Sequence, residues 1–591
     1  MAAPHSIQPE YDLIFAGGGT SACITASRLA AAFPDLSILV LESGPTTKDK
    51  KEHIQPGQYL THLAPTSKTM QFYTSKPSEH VGGRSVVVPS GRCIGGGSSV
   101  NFMLYSRPAA SDFDDWENEF GNVGWSSQAL IPLLQKAETY EINPKKPTHG
   151  SNGPLKVSFG GEVLDVGKQF LELGPRFEEN RPWNDEGNGL DLASINVFFQ
   201  MPKWISSNGR RSDVAHHYVY NKNLNNLSVL DGCLVNRVVL KDGCAVGVEY
   251  IFDKRVHESA PQDIRTVKAR RLVVVSAGAM GSPLILERSG IGKKDVLEKA
   301  GINIVTDLPG VGENYQDHAF VVSPYIADPS TTTCDSLFRG EPETWKRLLE
   351  QWEKDGSGMM GSNGVDAAIK MRPHPEELAE LGPDFMAYWN EVFANKPDKP
   401  LFWLSSVPGL PADQSALPPL NFMCSGCFLG YPASRGYLHI SSSDPYASPN
   451  FQPGFLSKRE LIRRLPSFRG ALIPAHPQFA DDSPVALTET GPVPFDAPRL
   501  VYSAEDDKAI DANLRQFVET TWHSLGTCAM KPLEKGGVVD SRLNVYGIKK
   551  LKVADLSIPP SNVNSNTYST AIAIGEKAAL IIAEDLGGSM D

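Results

Sequence analysis

Residues 11–42 read YDLIFAGGGTSACITASRLAAAFPDLSILVLE, and their pattern predicts the fold class of the amino-terminal part. An apolar run from Tyr11 to Ala16 leads into three glycines, and a segment rich in Ala, Ser and Leu follows from Thr20 to Ala32. A second apolar run, Leu36 to Leu41, ends at Glu42. Short apolar runs separated by a helical segment predict a strand–helix–strand unit, which is the building block of a parallel sheet.

The turn between the first strand and the helix matches the fingerprint of dinucleotide-binding proteins. Residues 17–22 follow the pattern G-x-G-x-x-A, in which alanine is a tolerated variant at the third small position. Small residues let backbone N–H groups approach a pyrophosphate, and the helix amino terminus carries a partial positive charge. Glu42 lies 25 positions after Gly17, near the offset of an acid that binds a ribose hydroxyl. A glycine turn in an ordinary loop is the alternative, but the surrounding strand, helix and acid favour a nucleotide site. Its predicted contacts are Gly17, Gly19, Thr20, Ser21 and Glu42.

A second glycine-rich stretch, GRCIGGGSSVNF at residues 91–102, bears on which nucleotide binds. The fingerprint alone does not separate FAD from NAD. Three consecutive glycines followed by two serines and an asparagine suggest a backbone held close to a flat or charged ligand. A flexible glycine loop is the alternative.

The rest of the chain predicts an α/β protein with more than one hydrophobic core. At 591 residues the chain is too long for a single ordinary core, so two domains or one interleaved pair are expected. The β-branched run at 271–276 is followed by a helical segment through Leu286, which predicts that the parallel sheet is assembled from distant pieces. Alternating runs at 234–240 and 247–251 predict antiparallel strands, and residues 570–585 predict a carboxy-terminal helix.

Charge and hydropathy exclude several classes of protein. The 56 basic and 68 acidic residues give a formal charge of -12, which disfavours nucleic acid and anionic membrane surfaces as partners. Glycines interrupt the apolar stretch at 13–33, so it is not read as a signal sequence. No other segment supplies about 18 uninterrupted apolar residues, so no membrane span is predicted.

The cysteines indicate packing rather than cross-linking or metal binding. Eight cysteines scattered over this length do not form a disulfide framework, so a reducing, intracellular location is expected. Cys424 and Cys427 have the spacing of a redox motif, but they lie in a predicted strand whose alternation would bury one of them. No cluster of His, Cys and carboxylates has the spacing of metal ligands, and no metal is predicted.

Five separated parts of the chain match, in order, the signatures of one known family. They are residues 91–102; GAMGSP at 278–283 with SGIG at 289–292; PGVG at 309–312 running to Gln316-Asp317-His318; Ser434-Arg435-Gly436; and Val553-Ala554-Asp555. These segments resemble the glucose-methanol-choline (GMC) oxidoreductases, and the agreement spans nearly the whole chain. The sequence is therefore identified as a member of that family.

The resemblance implies the GMC fold and FAD as the cofactor. The fold is α/β, with a Rossmann-like FAD-binding domain interleaved with a substrate domain built on an antiparallel sheet with helices. The implied division is 9–320, mainly FAD-binding; 321–534, mainly substrate-binding; and 535–588, which returns to the FAD-binding domain. Glu42 would bind the adenosine ribose, Val235 would contact the adenine end, and Asp555 would lie near the pyrophosphate and ribityl chain. Together with Val235 and Asp555, the cofactor contacts that the resemblance implies are Arg92, Gly97, Ser98, Asn101, Phe102 and Thr567.

One histidine is the candidate catalytic base. Oxidising an alcohol removes a hydroxyl proton and a carbinol hydride, so a base must lie beside the hydride acceptor. His523 lies in TWHSLGTC at 521–528, which resembles the catalytic segment of the family, whereas a lone histidine beside a tryptophan is more often structural. The second family position holds Asn566, where many relatives have histidine. An amide cannot act as the base but can hydrogen-bond the substrate oxygen, so Asn566 is predicted to orient the substrate.

Within the family, the chain resembles the fungal and yeast FAD-dependent alcohol (methanol) oxidases. The shared features are Trp522-His523, Asn566, residues 97–103, residues 434–440 and Asp444-Pro445-Tyr446. Phe102 and Trp522 either narrow the pocket, which would favour small primary alcohols, or are ordinary core aromatics.

The resemblance implies oxidation of a primary alcohol to an aldehyde, with dioxygen as electron acceptor and hydrogen peroxide as product. Three alternatives remain open: a dehydrogenase with a non-oxygen acceptor, an enzyme acting on a larger natural-product alcohol, and a redox-silent lyase. The expected partners are a small alcohol and dioxygen, and a homo-oligomer is left open. Family analogy points to the peroxisome, whereas the final residues Ser589-Met590-Asp591 lack the Ser-Lys-Leu type of address and favour the cytoplasm.

Overall fold

The computed structural model describes residues 7–452, 468–472, 475–494 and 496–590. In chain order the strands are β1 (Glu10–Ala16), β2 (Ile38–Leu41), β3 (Met70–Thr74), β4 (Val87–Gly91), β5 (Glu138–Tyr140), β6 (Leu155–Val157), β7 (Phe198–Gln200), β8 (Leu227–Leu230), β9 (Cys233–Lys241), β10 (Cys244–Phe252), β11 (Arg265–Val275), β12 (Ile291–Gly292), β13 (Thr306–Asp307), β14 (Ala319–Ala327), β15 (Ala367–Met371), β16 (Phe402–Val407), β17 (Phe422–Leu429), β18 (Tyr437–His439), β19 (Asn450–Gln452), β20 (Phe468–Ala471), β21 (Glu519–Thr520) and β22 (Leu551–Val553). The α-helices are α1 (Thr20–Ala32), α2 (Lys51–Ile54), α3 (Ala110–Asn118), α4 (Ser127–Ala137), α5 (Asp165–Phe177), α6 (Gly278–Arg288), α7 (Lys294–Lys299), α8 (Asp335–Phe338), α9 (Pro342–Asp355), α10 (Pro375–Glu380), α11 (Gly382–Val392), α12 (Ala504–Phe517) and α13 (Tyr568–Asp585).

The first large sheet contains the strand–helix–strand unit predicted from residues 11–42. Its order is β8–β2–β1–β11–β10–β9, with β22 beside β11. Strand β1 pairs in parallel with β2 and also with β11, which lies far downstream in the chain. The prediction of a parallel sheet assembled from distant pieces is therefore confirmed, and the predicted helix over 20–32 is α1. The predicted antiparallel strands are β9 and β10.

Strand β11 is longer than the predicted run at 271–276. Its first half alternates between buried and exposed positions and pairs antiparallel with β10. Its second half is continuously buried and pairs in parallel with β1 and β22. The sequence pattern indicated only the second half of β11, which is apolar on both faces. The Arg and Lys residues that alternate with apolar residues in the first half interrupt the apolar run there.

The second large sheet is antiparallel, in the order β20–β14–β17–β16–β15–β7 with β21 beside β14. Cys424 and Cys427 both lie in β17 and are only 1% and 6% exposed. The expectation that alternation would bury one of them is wrong, because β17 is a central strand whose two faces are both covered. The division at 9–320, 321–534 and 535–588 stays a prediction.

The carboxy-terminal helix α13 returns to the dinucleotide unit and packs along α1. Ser21 Oγ and Thr25 Oγ1 donate to the carbonyls of Ala571 and Gly575, each at 2.8 Å. The residue facing these hydroxyls must be small, because a Cβ on Gly575 would lie 3.1 Å from the Ser21 backbone. This contact holds the amino terminus of α1, where the fingerprint turn ends. In the part of the chain that the structure describes, no helix is long and apolar enough to cross a membrane.

Candidate active site

The two glycine-rich segments predicted to bind the cofactor are in direct backbone contact. The Gly95 N–H donates to the Gly18 carbonyl at 2.8 Å, and Thr20 Oγ1 donates to the Gly95 carbonyl at 3.2 Å. A Cβ on Gly96 would lie 2.8 Å from the Gly19 Cα, and Gly96 has a φ of 53°. Only glycine permits this approach, so the loop at 95–101 and the fingerprint turn form one surface.

Glu42 lies at the other side of the fingerprint turn. Its carboxylate accepts from the backbone N–H of Gly18 at 2.9 Å and of Gly44 at 2.8 Å. Burial raises the pKa of Glu42, and these two hydrogen bonds oppose that effect. The backbone N–H of Cys233 donates to the Glu42 carbonyl at 2.7 Å, which places the start of β9, with buried Val235, beside this acid. The residues expected at the adenosine end are thus brought together.

Arg92 lies at the edge of this group. Its guanidinium forms a 3.4 Å ion pair with Asp253 and donates to the Lys68 carbonyl at 2.9 Å. Burial raises the pKa of Glu42, and attraction from Arg92 opposes that rise. Arg92 therefore acts electrostatically on Glu42.

Asp555 joins the second family signature to the same surface. It accepts from the Gly278 N–H at 2.8 Å and from Ser282 Oγ at 2.5 Å, both at the start of α6. Burial raises its pKa. Thr567 is the N-cap residue of α13 and is buried. The start of α6 is thereby linked to Asp555.

These residues fit FAD. Helix α1 has neither a side-chain cap nor an acidic residue in its first turn, so its N–H groups are available to a pyrophosphate. Gly17 has a φ of 117°, and a Cβ there would lie 2.3 Å from the Ser276 carbonyl oxygen. A Cβ on Gly97 would meet nothing within 4 Å, which leaves room for a flat ring over the loop. The buried Ser565 Oγ and Thr570 Oγ1 have no protein partner and offer polar atoms at the amino end of α13.

Hydrogen bonds of the Ser98 and Asn101 side chains hold the loop at 97–102. Ser98 Oγ donates to the Gly95 carbonyl at 2.7 Å, and it accepts from the Val214 N–H at 3.2 Å. Asn101 Oδ1 accepts from the Met103 N–H at 3.1 Å and from the buried Arg211 at 2.9 Å. The serine and asparagine side chains therefore hold the loop in shape, a role that their spacing alone did not predict.

His523 lies on a turn that is held by one buried carboxylate. The His523 N–H donates to Asp317 Oδ1 at 3.0 Å, and Thr520 Oγ1 donates to Asp317 Oδ2. Trp522, between them, has a φ of 62°, a left-handed conformation that is strained for a bulky residue. The turn thus directs the His523 ring inward, where it is only 8% exposed.

The side chains of His523 and Asn566 meet in the structure. Nε2 of His523 lies 3.2 Å from Nδ2 of Asn566, although the two segments are far apart in sequence. Ser106 holds the amide in place, since its Oγ accepts from the Asn566 N–H at 2.7 Å and donates to Asn566 Oδ1 at 2.9 Å. Nδ1 of His523 lies 2.8 Å from Nδ1 of His318. Burial, with a smaller repulsion from His318, lowers the pKa of His523 well below 6.5, so the imidazole is neutral at physiological pH.

Aromatic rings surround this pair. The Phe102 and Trp522 centroids are 5.1 Å apart in an edge-to-face contact, and Tyr59 lies 4.3 Å from Phe102. Phe428 lies 5.9 Å from His523 on another side. Trp522 is 36% exposed, which differs from an ordinary core aromatic. The contact between Phe102 and Trp522 also joins the glycine loop to the turn that carries His523.

The sequence did not indicate three of the contacts that position the pair. Ser106 carries no recognisable motif, and only its position against Asn566 identifies it. Asp317 and His318 belong to the Gln316-Asp317-His318 segment, which was matched to the family without a role for either side chain. The available signal was the pair Asp317 and His318, two polar residues in the connection between β13 and β14, which belong to different sheets. Among the described residues, no group of three or more His, Cys, Asp or Glu side chains could hold a metal ion.

Comparisons with known proteins identify the family of this chain. The GMC oxidoreductase family matches in an amino-terminal part, residues 11–320, and a carboxy-terminal part, residues 432–575. Alcohol oxidases from Candida boidinii and Pichia angusta are each 39% identical, over 99% of this chain and 96% of theirs. A structure of formate oxidase from Aspergillus oryzae, solved to study FAD modification, superposes with a TM-score of 0.79. It covers 99% of each chain at 24% identity, so it bears on the fold alone.

Proposed function

Because this chain belongs to the GMC oxidoreductase family, we propose that it uses FAD to oxidise a primary alcohol to the aldehyde, with dioxygen as electron acceptor. The relatedness to alcohol oxidases over nearly the whole chain supports the reaction class. The observation that carries the proposal is the 3.2 Å contact between His523 Nε2 and Asn566 Nδ2, at the end of the glycine loop.

In this proposal His523 is the base and Asn566 the orienting group. The substrate hydroxyl binds against Nε2 of His523 and the Asn566 amide in place of their direct contact. It donates its proton to Nε2 and accepts a hydrogen bond from Nδ2. FAD, when bound, would supply the acceptor of the carbinol hydride; the two electrons and two protons removed from the alcohol would pass to dioxygen and give hydrogen peroxide. Loss of the proton and the hydride from one carbon–oxygen unit leaves the aldehyde.

The surrounding residues position the pair and limit the substrate. Ser106 keeps the Asn566 amino group directed at His523, and Asp317 holds the turn that carries the base. The contact between Phe102 and Trp522 narrows the approach, which favours a short alcohol. Primary alcohols of few carbons are therefore the proposed substrates.

Anaerobic mixing of the purified flavoprotein with methanol, ethanol and longer alcohols tests the reaction. Loss of the yellow flavin absorbance is expected, fastest with the short alcohols. An absorbance that stays constant with every alcohol would indicate a redox-silent role. In air, one peroxide per aldehyde is expected for an oxidase. Little peroxide together with fast dye reduction would indicate a non-oxygen acceptor.

The base assignment has its own test. His523→Ala should retain FAD and lose about a hundred- to ten-thousand-fold in the rate of flavin reduction, as is typical when a positioned base is removed. The matched control is His80→Ala, since His80 is exposed. A near-normal rate in the His523 variant would exclude that residue as the base.

A further inference from the structure

We propose that His318 is the positioning residue that selects the tautomer of His523 and keeps its Nε2 unprotonated, ready to receive the substrate proton. The inference rests on the proposed alcohol oxidation. His318 is fully buried, and its Nδ1 lies 2.8 Å from Nδ1 of His523. A neutral imidazole carries one proton, so two facing ring nitrogens form a hydrogen bond only when one donates and the other accepts.

The far side of His318 determines the direction of that bond. Nε2 of His318 lies 2.8 Å from the carbonyl oxygen of Val563, which can only accept. Nε2 therefore carries the proton of His318, and Nδ1 keeps a lone pair. Because burial lowers the pKa of His318 to about 4, this ring stays neutral at physiological pH. His523 must then donate from Nδ1, which leaves its Nε2 unprotonated.

The opposite side of His523 leads independently to the same tautomer. Ser106 Oγ accepts from the Asn566 backbone and donates to Asn566 Oδ1, so the amide oxygen is already engaged. The amino group, Nδ2, therefore faces Nε2 of His523 at 3.2 Å. Because an amide NH2 can only donate, Nε2 must be the acceptor. Two contacts from separate chain segments thus require one protonation pattern.

Packing fixes the orientation of the His318 ring. It stacks on Phe428 at a centroid distance of 5.1 Å, and Phe428 stacks in turn on Trp403 at 5.7 Å. The His318 N–H donates to Asp317 Oδ1 at 2.7 Å, and the same oxygen accepts from the His523 N–H. One carboxylate therefore sets the relative position of both histidines. When the substrate oxygen takes the Asn566 amino group, only the acceptor at Nδ1 still selects the tautomer. Without that acceptor, His523 would partition into the tautomer whose Nε2 carries a proton and cannot act as base.

Three substitutions separate tautomer selection from simple packing. His318→Asn places an amide oxygen near the position of Nδ1 and can still accept from His523. His318→Gln places its amide near the position of Nε2, keeps a donor for Val563, and leaves Nδ1 of His523 without an acceptor. His318→Phe keeps a ring against Phe428 but offers no acceptor.

We expect kcat to fall only in the variants that offer no acceptor to Nδ1 of His523. The asparagine variant should keep its anaerobic flavin-reduction rate within about tenfold of the parent, while the glutamine and phenylalanine variants should lose about 100-fold or more, with little change in KM. FAD content and the thermal unfolding midpoint are measured for each variant as controls. Equal losses in the asparagine and glutamine variants, or a phenylalanine variant as fast as the parent, would overturn the proposal.

A spectroscopic measurement on the unsubstituted enzyme does not depend on whether the His318 variants fold. In solid-state nitrogen NMR of the FAD-loaded full chain with 15N-histidine, His523→Asn identifies the signals of His523. Nδ1 of His523 should have a protonated, pyrrole-type shift and Nε2 a pyridine-type shift. The reverse assignment would refute the tautomer. A parent enzyme that no alcohol reduces would instead refute the proposed function, and the NMR result would still decide the tautomer.

Discussion

Replacing Asp317 with asparagine should weaken both the turn that carries His523 and the rate of alcohol oxidation. The carboxylate is only 5% exposed. Five donors reach it from two segments of chain: the backbone N–H groups of His318 and His523, and the hydroxyls of Tyr315, Thr520 and Thr521. Asparagine keeps the shape of aspartate, so the change removes acceptor capacity and charge without opening a cavity.

The magnitude follows from the donors that lose their acceptor. If the asparagine oxygen stays with the two backbone N–H groups, the NH2 group faces the Tyr315 and Thr520 hydroxyls, which both donate to Oδ2. A buried donor without an acceptor costs about 1–3 kcal/mol, so with two such donors the free energy of unfolding should fall by roughly 2–6 kcal/mol. A displacement of about 1 Å at His523 would cost on the order of 100-fold in rate.

Thermal unfolding and anaerobic stopped-flow reduction with a short alcohol measure the two effects. Asp35→Asn is the matched control, because Asp35 is exposed. The reasoning would be refuted by an Asp317→Asn enzyme that unfolds at the parent's midpoint and reduces its flavin within about twofold of the parent rate.

Two further predictions follow from the glycine loops and from the buried histidines. Gly96→Ala should lower the ratio of bound FAD to protein by about tenfold or more, because its Cβ would lie 2.8 Å from the Gly19 Cα. The control is Gly491→Ala, which lies outside both glycine-rich segments and whose Cβ would meet nothing within 4 Å, so it should retain FAD. Equal FAD content in both variants would contradict the steric account. Burial lowers the pKa of His53 to about 4 and that of His62 to about 2. Between pH 6.5 and 4 these two groups therefore bind protons mainly in the unfolded chain. Each then lowers the free energy of unfolding by about 1.4 kcal/mol for every unit by which the pH falls. Urea titrations at pH 7 and pH 5 check this, and His62→Phe should reduce the difference; an unchanged difference would exclude His62 as a contributor.

The local parts of the fold were predictable from sequence because their signals are local. Helix α1 has the predicted bounds, since a glycine turn and an Ala-rich periodic run are contiguous in the chain. Strand β11 was only half predicted, because its two halves have different neighbours and therefore different burial patterns. The burial of both Cys424 and Cys427 depended on β17 being central in its sheet, which adjacent residues do not encode.

The nucleotide fold, the family and the candidate pair, His523 and Asn566, could all be predicted from the amino-acid sequence. The arrangement of that pair could not, because it depends on contacts between distant segments. The facing of His318 Nδ1 and His523 Nδ1, and the placing of Ser106 on the Asn566 amide, join segments that are hundreds of residues apart. The donor and the acceptor of a hydrogen bond between two imidazoles can be assigned only when the other contacts of both rings are known. The position of the base's proton is therefore a property of the folded chain, which no single stretch of sequence specifies.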